Sequence, residues 1–204
     1  MMIALIVGNG EVSDEIKNEL PENTFVICAD GGIRHMKKLG LRPDIIIGDM
    51  DSADIEIDEE KAIRYPVKKD FTDSEISVDY AINHGFEEII MLGFTGTRLD
   101  HTITNLFLLK KISESGRKGV IIDKHNKIFY AERENVILGK MGDIVSIIPI
   151  GEDVSGITTN GLEYPLNNET LEFGKSRGVS NVMTGECCEI MIESGTAMII
   201  KSKD

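Results

Sequence analysis

Residues 25–30 read Phe-Val-Ile-Cys-Ala-Asp, a short apolar run that ends on an acid, and this pattern decides the fold. Short apolar runs bounded by polar residues are typical of strands that a parallel sheet buries on both faces. Similar runs occur at residues 45–48, 65–67 and 89–92, and a further apolar run occupies residues 3–7. We therefore predict a sheet of buried strands in the first half of the chain.

Segments with helical period lie between these apolar runs. We predict helices at residues 13–20, 32–39, 74–84 and 102–115. Ser13 has the side chain of a helix N-cap, and Gly40 and Gly85 lie where glycines commonly end helices. Strands that alternate with helices indicate an α/β domain, in which helices flank a parallel sheet.

The pattern changes after about residue 120, where the helical period disappears. Runs at residues 127–130, 144–150 and 189–192 are separated by Gly, Asn and Asp. Short strands at such spacing predict an all-β sandwich or barrel. We place the boundary near residues 122–125, which gives an α/β domain at 1–122 and a β domain at 123–204.

Acidic residues follow the strands at their carboxyl ends. The set comprises Asp30, Asp49, Asp51, Asp70, Asp73 and Asp100. Because the carboxyl ends of parallel strands share one edge, where ligands bind, we expect these side chains to meet there. Carboxylates in such a cluster repel one another, and Mg²⁺ takes carboxylate oxygens while sharing its shell with phosphates. The alternative is that each Asp only caps a helix or forms a turn.

The stretch from Gly93 to His101 joins a predicted strand to a predicted helix. Backbone N–H groups and the helix dipole favour phosphate at such a junction, although the sequence is no Walker loop. Arg98 has the forked donors that hold phosphate oxygens, and His101 can hydrogen-bond phosphate or nucleotide. An ordinary turn with a surface arginine and a structural histidine is the alternative.

Composition excludes several classes of protein. The 204 residues carry a net charge of −13, which disfavours broad contact with nucleic acid or anionic membrane. No apolar run reaches the length of a membrane span, and the chain opens into a strand pattern without a basic signal region. Its three cysteines fit neither a disulfide framework nor a CxxC metal site, so we expect a reduced, cytoplasmic protein.

The chain resembles the thiamine pyrophosphokinase family. In its first half the resemblance rests on residues 29–32 (Ala-Asp-Gly-Gly), 48–52 (Gly-Asp-Met-Asp-Ser), 69–73 (Lys-Asp-Phe-Thr-Asp) and 97–101 (Thr-Arg-Leu-Asp-His). It continues at residues 161–166 (Gly-Leu-Glu-Tyr-Pro-Leu) and 178–181 (Gly-Val-Ser-Asn). Six motifs in this order cover nearly the whole chain.

This resemblance implies diphosphate transfer from MgATP to the hydroxyl of thiamine, which gives thiamine diphosphate and AMP. It implies an ATP-binding first domain, a thiamine-binding second domain, and a homodimer with sites between subunits. The metal ligands would be Asp49, Asp51 and Asp70. The groups that orient ATP would be Asp73, Thr95, Gly96, Arg98, Asp100 and His101. Thiamine would meet Ser180 and Asn181, with Asp30 close to the reacting groups, and catalysis would fall to Asp70, Asp73, Arg98 and Asp100.

Two features depart from the family pattern. Some members pack a tryptophan against thiamine, whereas this chain has none, and Tyr164 or Phe173 would have to supply the apolar face. The arginine motif often begins with Gly, whereas Thr97 stands here before Arg98. Neither departure touches the acidic residues.

Three alternative functions remain open on the sequence. The same transfer to another small alcohol, such as a hydroxymethylpterin, would need nearly the same ATP motifs. A phosphatase with an aspartyl nucleophile is suggested by the pair Asp49 and Asp51. A sensor that binds nucleotide or thiamine without turnover would keep the same pockets.

Overall fold

The computed structural model describes residues 1–48, 62–64 and 70–203. It divides into two compact units, Met1–Lys124 and His125–Asp204. The predicted metal ligands Asp49 and Asp51 and the apolar run at residues 65–67 lie outside the described residues. Within the described part of the chain, no helix is long and apolar enough to span a membrane.

The first unit is built on a parallel sheet. Its strands are β1 (Ile3–Val7), β2 (Phe25–Ala29), β3 (Ile45–Gly48), β4 (Ala62–Arg64), β5 (Glu88–Leu92) and β6 (Lys118–Ile122). They lie in the order β6-β5-β1-β2-β3-β4, and every neighbouring pair is parallel. Leu5, Ile27 and Ile89 have no exposed surface, as expected for strands covered on both faces. The prediction of a parallel sheet is confirmed.

Helices connect the strands of this unit. They are α1 (Ile33–Leu39), α2 (Asp73–Asn83) and α3 (Leu99–Glu114), together with 3-10 helices at Asp14–Glu19 and Asp30–Gly32. The Lys111 ammonium of α3 lies 3.1 Å from the carboxylate of Glu75 and 2.6 Å from that of Asp79, both on α2. These ion pairs join α2 to α3, whose first turns both face the candidate site described below.

Two predicted helices differ from the observed ones. Residues 13–20 form only the short 3-10 helix, which Ser13 caps by accepting a hydrogen bond from the Glu15 N–H at 3.4 Å. Ile16 is its one buried residue, so it lacks the apolar stripe that packs a longer α-helix. Helix α3 begins at Leu99, before the predicted start at residue 102. Gly40 and Gly85 end their helices as predicted, with φ of 67° and 82°.

The second unit is an antiparallel β-sandwich. Its strands are β7 (Asn126–Tyr130), β8 (Glu134–Leu138), β9 (Ile144–Pro149), β10 (Val154–Asn160), β11 (Glu169–Leu171), β12 (Asn181–Val182), β13 (Cys187–Met191) and β14 (Ala197–Ser202). Within the unit they form two four-strand layers, β12-β9-β14-β7 and β11-β10-β13-β8. Ile147, Ile157, Ile190 and Ile199 meet in one core between the layers. The predicted all-β second half is confirmed.

Candidate functional site

The candidate site lies where the strand order of the parallel sheet reverses. From β1 the chain adds β2, β3 and β4 on one side, then returns to place β5 and β6 on the other side of β1. Ligands of open α/β sheets bind at such a switch point, beyond the carboxyl ends of the strands. A cavity of about 380 Å³ occupies this position. It is lined by Asn9, Gly10, Ala29, Asp30, Thr72, Asp73, Ser74, Gly93, Phe94, Thr95, Gly96, Thr97, Arg98, His101, Thr102 and Asn105.

At the floor of the cavity, backbone segments lie in direct contact with one another. The loop after β1 runs along the loop after β5, because the N–H of Gly10 donates to the carbonyl of Gly93 at 2.7 Å and that of Glu11 to the carbonyl of Thr95 at 2.9 Å. A Cβ at Gly10 would lie 2.1 Å from the Thr95 oxygen, and one at Gly32 would lie 2.0 Å from the Val7 oxygen. Only glycine permits this approach, which brings three strand ends around one ligand-sized space.

Two helix N-termini open into the cavity. Thr72 caps α2, with its Oγ1 accepting from the Glu75 N–H at 3.1 Å, and Asp73 and Ser74 of the first turn line the wall. Arg98 is the N-cap residue of α3, and its side chain makes no capping hydrogen bond within the described residues. The positive ends of two helix dipoles make this side of the cavity suited to an anion.

The loop between β5 and α3 is fixed from behind by α3. The Thr102 hydroxyl lies 3.2 Å from the Gly96 nitrogen and 3.3 Å from the Gly96 oxygen. The buried Asn105 donates from Nδ2 to the Phe94 carbonyl at 2.8 Å. The Thr95 hydroxyl donates to Asp123 Oδ2 at 3.1 Å, just after β6. This loop therefore presents Thr95, Gly96 and Arg98 from a rigid frame.

Arg98 and Asp100 pair with each other at the mouth of the cavity. The pair has two hydrogen bonds, and both side chains are about two-thirds exposed, at 69% and 67%. The Arg98 hydrogen bond, aided by the His101 N–H, lowers the pKa of Asp100 to about 2. The Asp100 side chain is not part of the described cavity lining, whereas Arg98 and His101 are. Asp100 thus acts on the cavity through Arg98.

The other side of the cavity is acidic. Asp30 directly follows β2 in a left-handed conformation, with φ of 43°, and lines the cavity together with Asp73. Its buried Oδ1 has no hydrogen-bond partner among the described residues. A Cβ at Gly48, the last residue of β3, would lie 3.0 Å from Asp30 Cα. The carboxyl end of β3 therefore lies beside Asp30.

These donors fit a hard cation such as Mg²⁺. A buried carboxylate oxygen without a partner is costly, and a metal ion removes that cost. The described residues hold no group of three or more His, Cys, Asp or Glu that could bind a metal by themselves. Asp70 is described, and it is exposed close to the start of α2 rather than part of the cavity lining. The assignments to Asp49, Asp51 and Asp70 stay predictions.

Ser180 and Asn181 lie in the second unit. Ser180 has φ of 61°, and its N–H donates to Ser146 Oγ at 3.0 Å. The Asn181 amide holds the backbone of Tyr164, with Nδ2 donating to the Tyr164 carbonyl at 2.7 Å and Oδ1 accepting from its N–H at 3.0 Å. The aromatic side chains of Tyr164 and Phe173 are 64% and 55% exposed. Asn181 therefore shapes a surface turn that presents Tyr164.

Sequence reasoning missed several residues of the cavity. Asn9 follows β1 as the acids follow other strands, so a search for any polar residue at a strand end would have found it. Thr72 and Ser74 flank the predicted Asp73, and Asn105 lies one helical turn beyond His101 on α3. Asp123 is not part of the cavity lining, but it anchors Thr95 and follows β6 as Asp30 follows β2.

The fold and the cavity define a class: an α/β unit with a ligand cavity at the switch point of its sheet, linked to a β-sandwich. Residues 16–121 match the family described as thiamin pyrophosphokinase, catalytic domain. Residues 125–199 match that described as thiamin pyrophosphokinase, vitamin B1 binding domain. The chain belongs to the thiamin pyrophosphokinase family.

Individual relatives agree with this membership. The chain is 30% identical to thiamine pyrophosphokinase of Bacillus subtilis (strain 168), over 90% of this chain and 89% of the relative. It is 28% identical to thiamin pyrophosphokinase 1 of Caenorhabditis elegans, over 94% and 85% of the two chains. The crystal structure of thiamin pyrophosphokinase from Geobacillus thermodenitrificans superposes with a TM-score of 0.86 at 29% identity, covering 100% of this chain and 98% of the other.

Proposed function

We propose that this protein transfers a diphosphate group from MgATP to the hydroxyl of thiamine, giving AMP and thiamine diphosphate. The observation that carries the proposal is the switch-point cavity. It combines two helix N-termini and Arg98 on one side with Asp30 on the other, and Asp73, in the first turn of α2, lies between them. The cavity lies almost wholly in the region that matches the catalytic family. One side suits polyphosphate, and the other suits a cation.

The triphosphate of ATP binds on the side of α2 and α3. Backbone N–H groups of the first helical turns, the Arg98 guanidinium and His101 would bind its oxygens, and Thr95 and Gly96 would line the nucleotide. The rigid loop from Gly93 to Arg98 supports this role, because donors fixed in advance need no reorganisation as charge develops. Asp100 contributes by holding Arg98.

The proposed magnesium ligands are Asp49, Asp51 and Asp70, and Asp30 would lie close to the reacting groups. Mg²⁺, when bound, withdraws negative charge from the phosphate oxygens and helps to orient them. Asp30 Oδ1, which has no partner among the residues that the structure describes, supports a cation on this side. Asp73, at the start of α2, lies between the acidic side and the phosphate side.

In the reaction, the hydroxyl oxygen of thiamine forms a bond to the β-phosphorus of ATP. The bond from that phosphorus to the oxygen shared with the α-phosphorus breaks, and AMP leaves with that oxygen. Asp70 or Asp73 accepts the hydroxyl proton. Positioning and electrostatic stabilisation supply most of the acceleration, as is usual for phosphoryl chemistry.

Thiamine binds with help from the second unit, where Ser180 and Asn181 are the proposed contacts. Its permanently cationic thiazolium ring is compatible with the net charge of −13. The pterin alcohol is not favoured, because residues 125–199 match a vitamin B1 binding domain. We further propose a homodimer with sites between subunits and a cytoplasmic location. The free thiols of Cys28, Cys187 and Cys188 support the latter.

A product assay tests this function. Purified protein is mixed with MgATP and thiamine, and AMP and thiamine diphosphate are separated by chromatography; equal amounts of both are expected. Formation of ADP with thiamine monophosphate would exclude diphosphate transfer. Parallel reactions omit Mg²⁺, replace thiamine by a hydroxymethylpterin, or offer 4-nitrophenyl phosphate alone. Turnover of the pterin alone, or of the phosphomonoester, would favour the corresponding alternative.

A further inference from the structure

Asn9 lines the switch-point cavity. It is the middle residue of the Gly8–Gly10 loop after β1. The chain places β2 on one side of β1 and β5 on the other. Its neighbours across the cavity are Asp30 at the end of β2 and the Gly93–Arg98 loop after β5. Asn9 therefore stands between the acidic side and the anion-binding side.

The backbone around Asn9 is held by two side chains of α1. The Arg34 guanidinium donates to the carbonyl of Asn9 and, at 3.3 Å, to that of Gly10. His35 Nε2 lies 2.9 Å from the same Gly10 carbonyl. Burial, followed by the charge of Arg34, lowers the pKa of His35, which keeps it neutral at neutral pH. The loop is thus fixed before any ligand arrives.

The carboxamide of Asn9 is not used to hold this loop. Asn9 is exposed, and within the described part of the chain its side chain makes no hydrogen bond. It also lacks the positive φ for which Asn is often chosen in turns. The common structural roles of a loop asparagine therefore do not account for it.

Gly31 leaves room for this carboxamide. A Cβ at Gly31 would lie 2.5 Å from Asn9 Cγ and Nδ2 and 2.7 Å from Oδ1, and these are its three nearest atoms. The backbone of Gly31 has no positive φ that would itself require glycine. Because residue 31 is a glycine, the space that its side chain would fill is occupied by the Asn9 amide.

We propose that the Asn9 carboxamide binds the diphosphate group that is transferred, with Nδ2 donating to one of its oxygens, and that Gly31 keeps this amide in place. The inference rests on the proposed function and assigns a substrate-binding residue to it. A neutral donor fits this position, since a lysine would pair with Asp30 and an acid would repel phosphate.

The first test compares Asn9→Ala with Asn83→Ala, which removes an exposed amide at the end of α2. Binding of α,β-methylene ATP with Mg²⁺ is measured by calorimetry, and kcat and KM are measured by AMP release. We expect Asn9→Ala to weaken analogue binding or lower kcat by roughly 10- to 100-fold, the range for a hydrogen bond to a charged group. Asn83→Ala should match wild type, and both variants should keep its Tm. Equal binding and kcat in both variants would overturn the proposal.

The second test is a double-mutant cycle. Gly31→Ala should displace the Asn9 amide and reproduce much of the loss seen in Asn9→Ala. The double variant Asn9→Ala/Gly31→Ala should then be no worse than Asn9→Ala alone, because the amide that Gly31 accommodates is already gone. Additive losses would show that Gly31 acts independently of Asn9.

These experiments separate the inference from the function on which it rests. Wild type that binds the analogue but forms no AMP would refute diphosphate transfer, while a binding loss confined to Asn9→Ala would still place the amide on the polyphosphate. Wild type that fails to bind the analogue would overturn both.

Discussion

The guanidinium of Arg98 and the carboxylate of Asp100 meet side by side at the start of α3, with Nε 3.2 Å from Oδ1 and Nη2 2.7 Å from Oδ2. Two parallel hydrogen bonds fix the plane of the guanidinium as well as its position. Because Arg98 lines the cavity and Asp100 does not, the acid determines how the arginine meets a ligand.

Asp100→Asn should therefore impair catalysis without unfolding the protein. We expect kcat to fall by roughly 10- to 100-fold, because a misplaced donor stabilises the transition state poorly. The control is Glu169→Gln, which breaks the exposed pair of Arg177 and Glu169 in the second unit and should leave kcat unchanged. A normal kcat in Asp100→Asn would show that Arg98 needs no such support.

The same pair makes a prediction about pH. The folded pKa of Asp100, about 2, lies below the ordinary value of 3.8, so the unfolded state binds this proton more readily. The stabilising effect of the pair is complete above about pH 4 and is lost as the pH falls towards 2. Carbon-detected NMR should show Asp100 titrating near 2 in wild type and at a higher pH, towards 3.8, in Arg98→Ala. A wild-type value near 3.8 would contradict the pair.

Asp30→Asn should lower activity while leaving the stability of the fold unchanged or higher. The amide keeps the shape, tolerates the positive φ, and removes the charge of a carboxylate whose buried Oδ1 has no partner among the described residues. We expect unfolding in urea without Mg²⁺ to cost the same free energy as in wild type or up to about 1–2 kcal/mol more. We also expect kcat to fall at least about 100-fold and Mg²⁺ to raise Tm less than in wild type. Asp14→Asn, at an exposed acid of the first unit, serves as the control.

The contribution of Thr95 to ATP binding should depend on its hydroxyl, because the hydroxyl donates to Asp123. Thr95→Val keeps the shape but removes the donor to Asp123 Oδ2, so the loop before α3 loses an anchor at the cavity. We expect KM for MgATP to rise roughly 10-fold, as is typical for losing a hydrogen bond to a charged acceptor. Thr95→Ser should restore most of the affinity. Equal KM values for the Val and Ser variants would mean that the methyl group, not the hydroxyl, matters.

The fold was largely predictable because buried strands and amphipathic helices leave periodic patterns. The apolar run at residues 25–29 reflects a strand that is buried on both faces. The helical period of α2 reflects a helix that is buried on one face. The Asp14–Glu19 segment was predicted less well, since a single buried residue gives no stripe to distinguish an α-helix from a 3-10 helix. Helix starts shift for a similar reason: the apolar side chain of Leu99 is 70% exposed and does not mark the packed face of α3.

The site was predictable in its location but not in its detail. Strand ends identify the edge of the sheet, and Asp30 and Asp73 do lie together there. They do not reveal where each side chain points: Asp100 turns to Arg98, and Asp70 stays exposed near α2. Such directions depend on local backbone angles and on partners distant in sequence, such as Asp123 for Thr95. A neutral amide such as Asn9 does not belong to the pattern of acids after strands, so the sequence does not distinguish it from an ordinary loop residue.

The glycines of the cavity floor restrict how this protein can evolve. At Gly10 and Gly32 any side chain would enter a neighbouring peptide group, so almost every substitution at these two codons is eliminated whatever the substrate. Descendants that acquire a new ligand preference must therefore vary residues outside this floor, such as those at the beginnings of α2 and α3, while the floor is inherited intact.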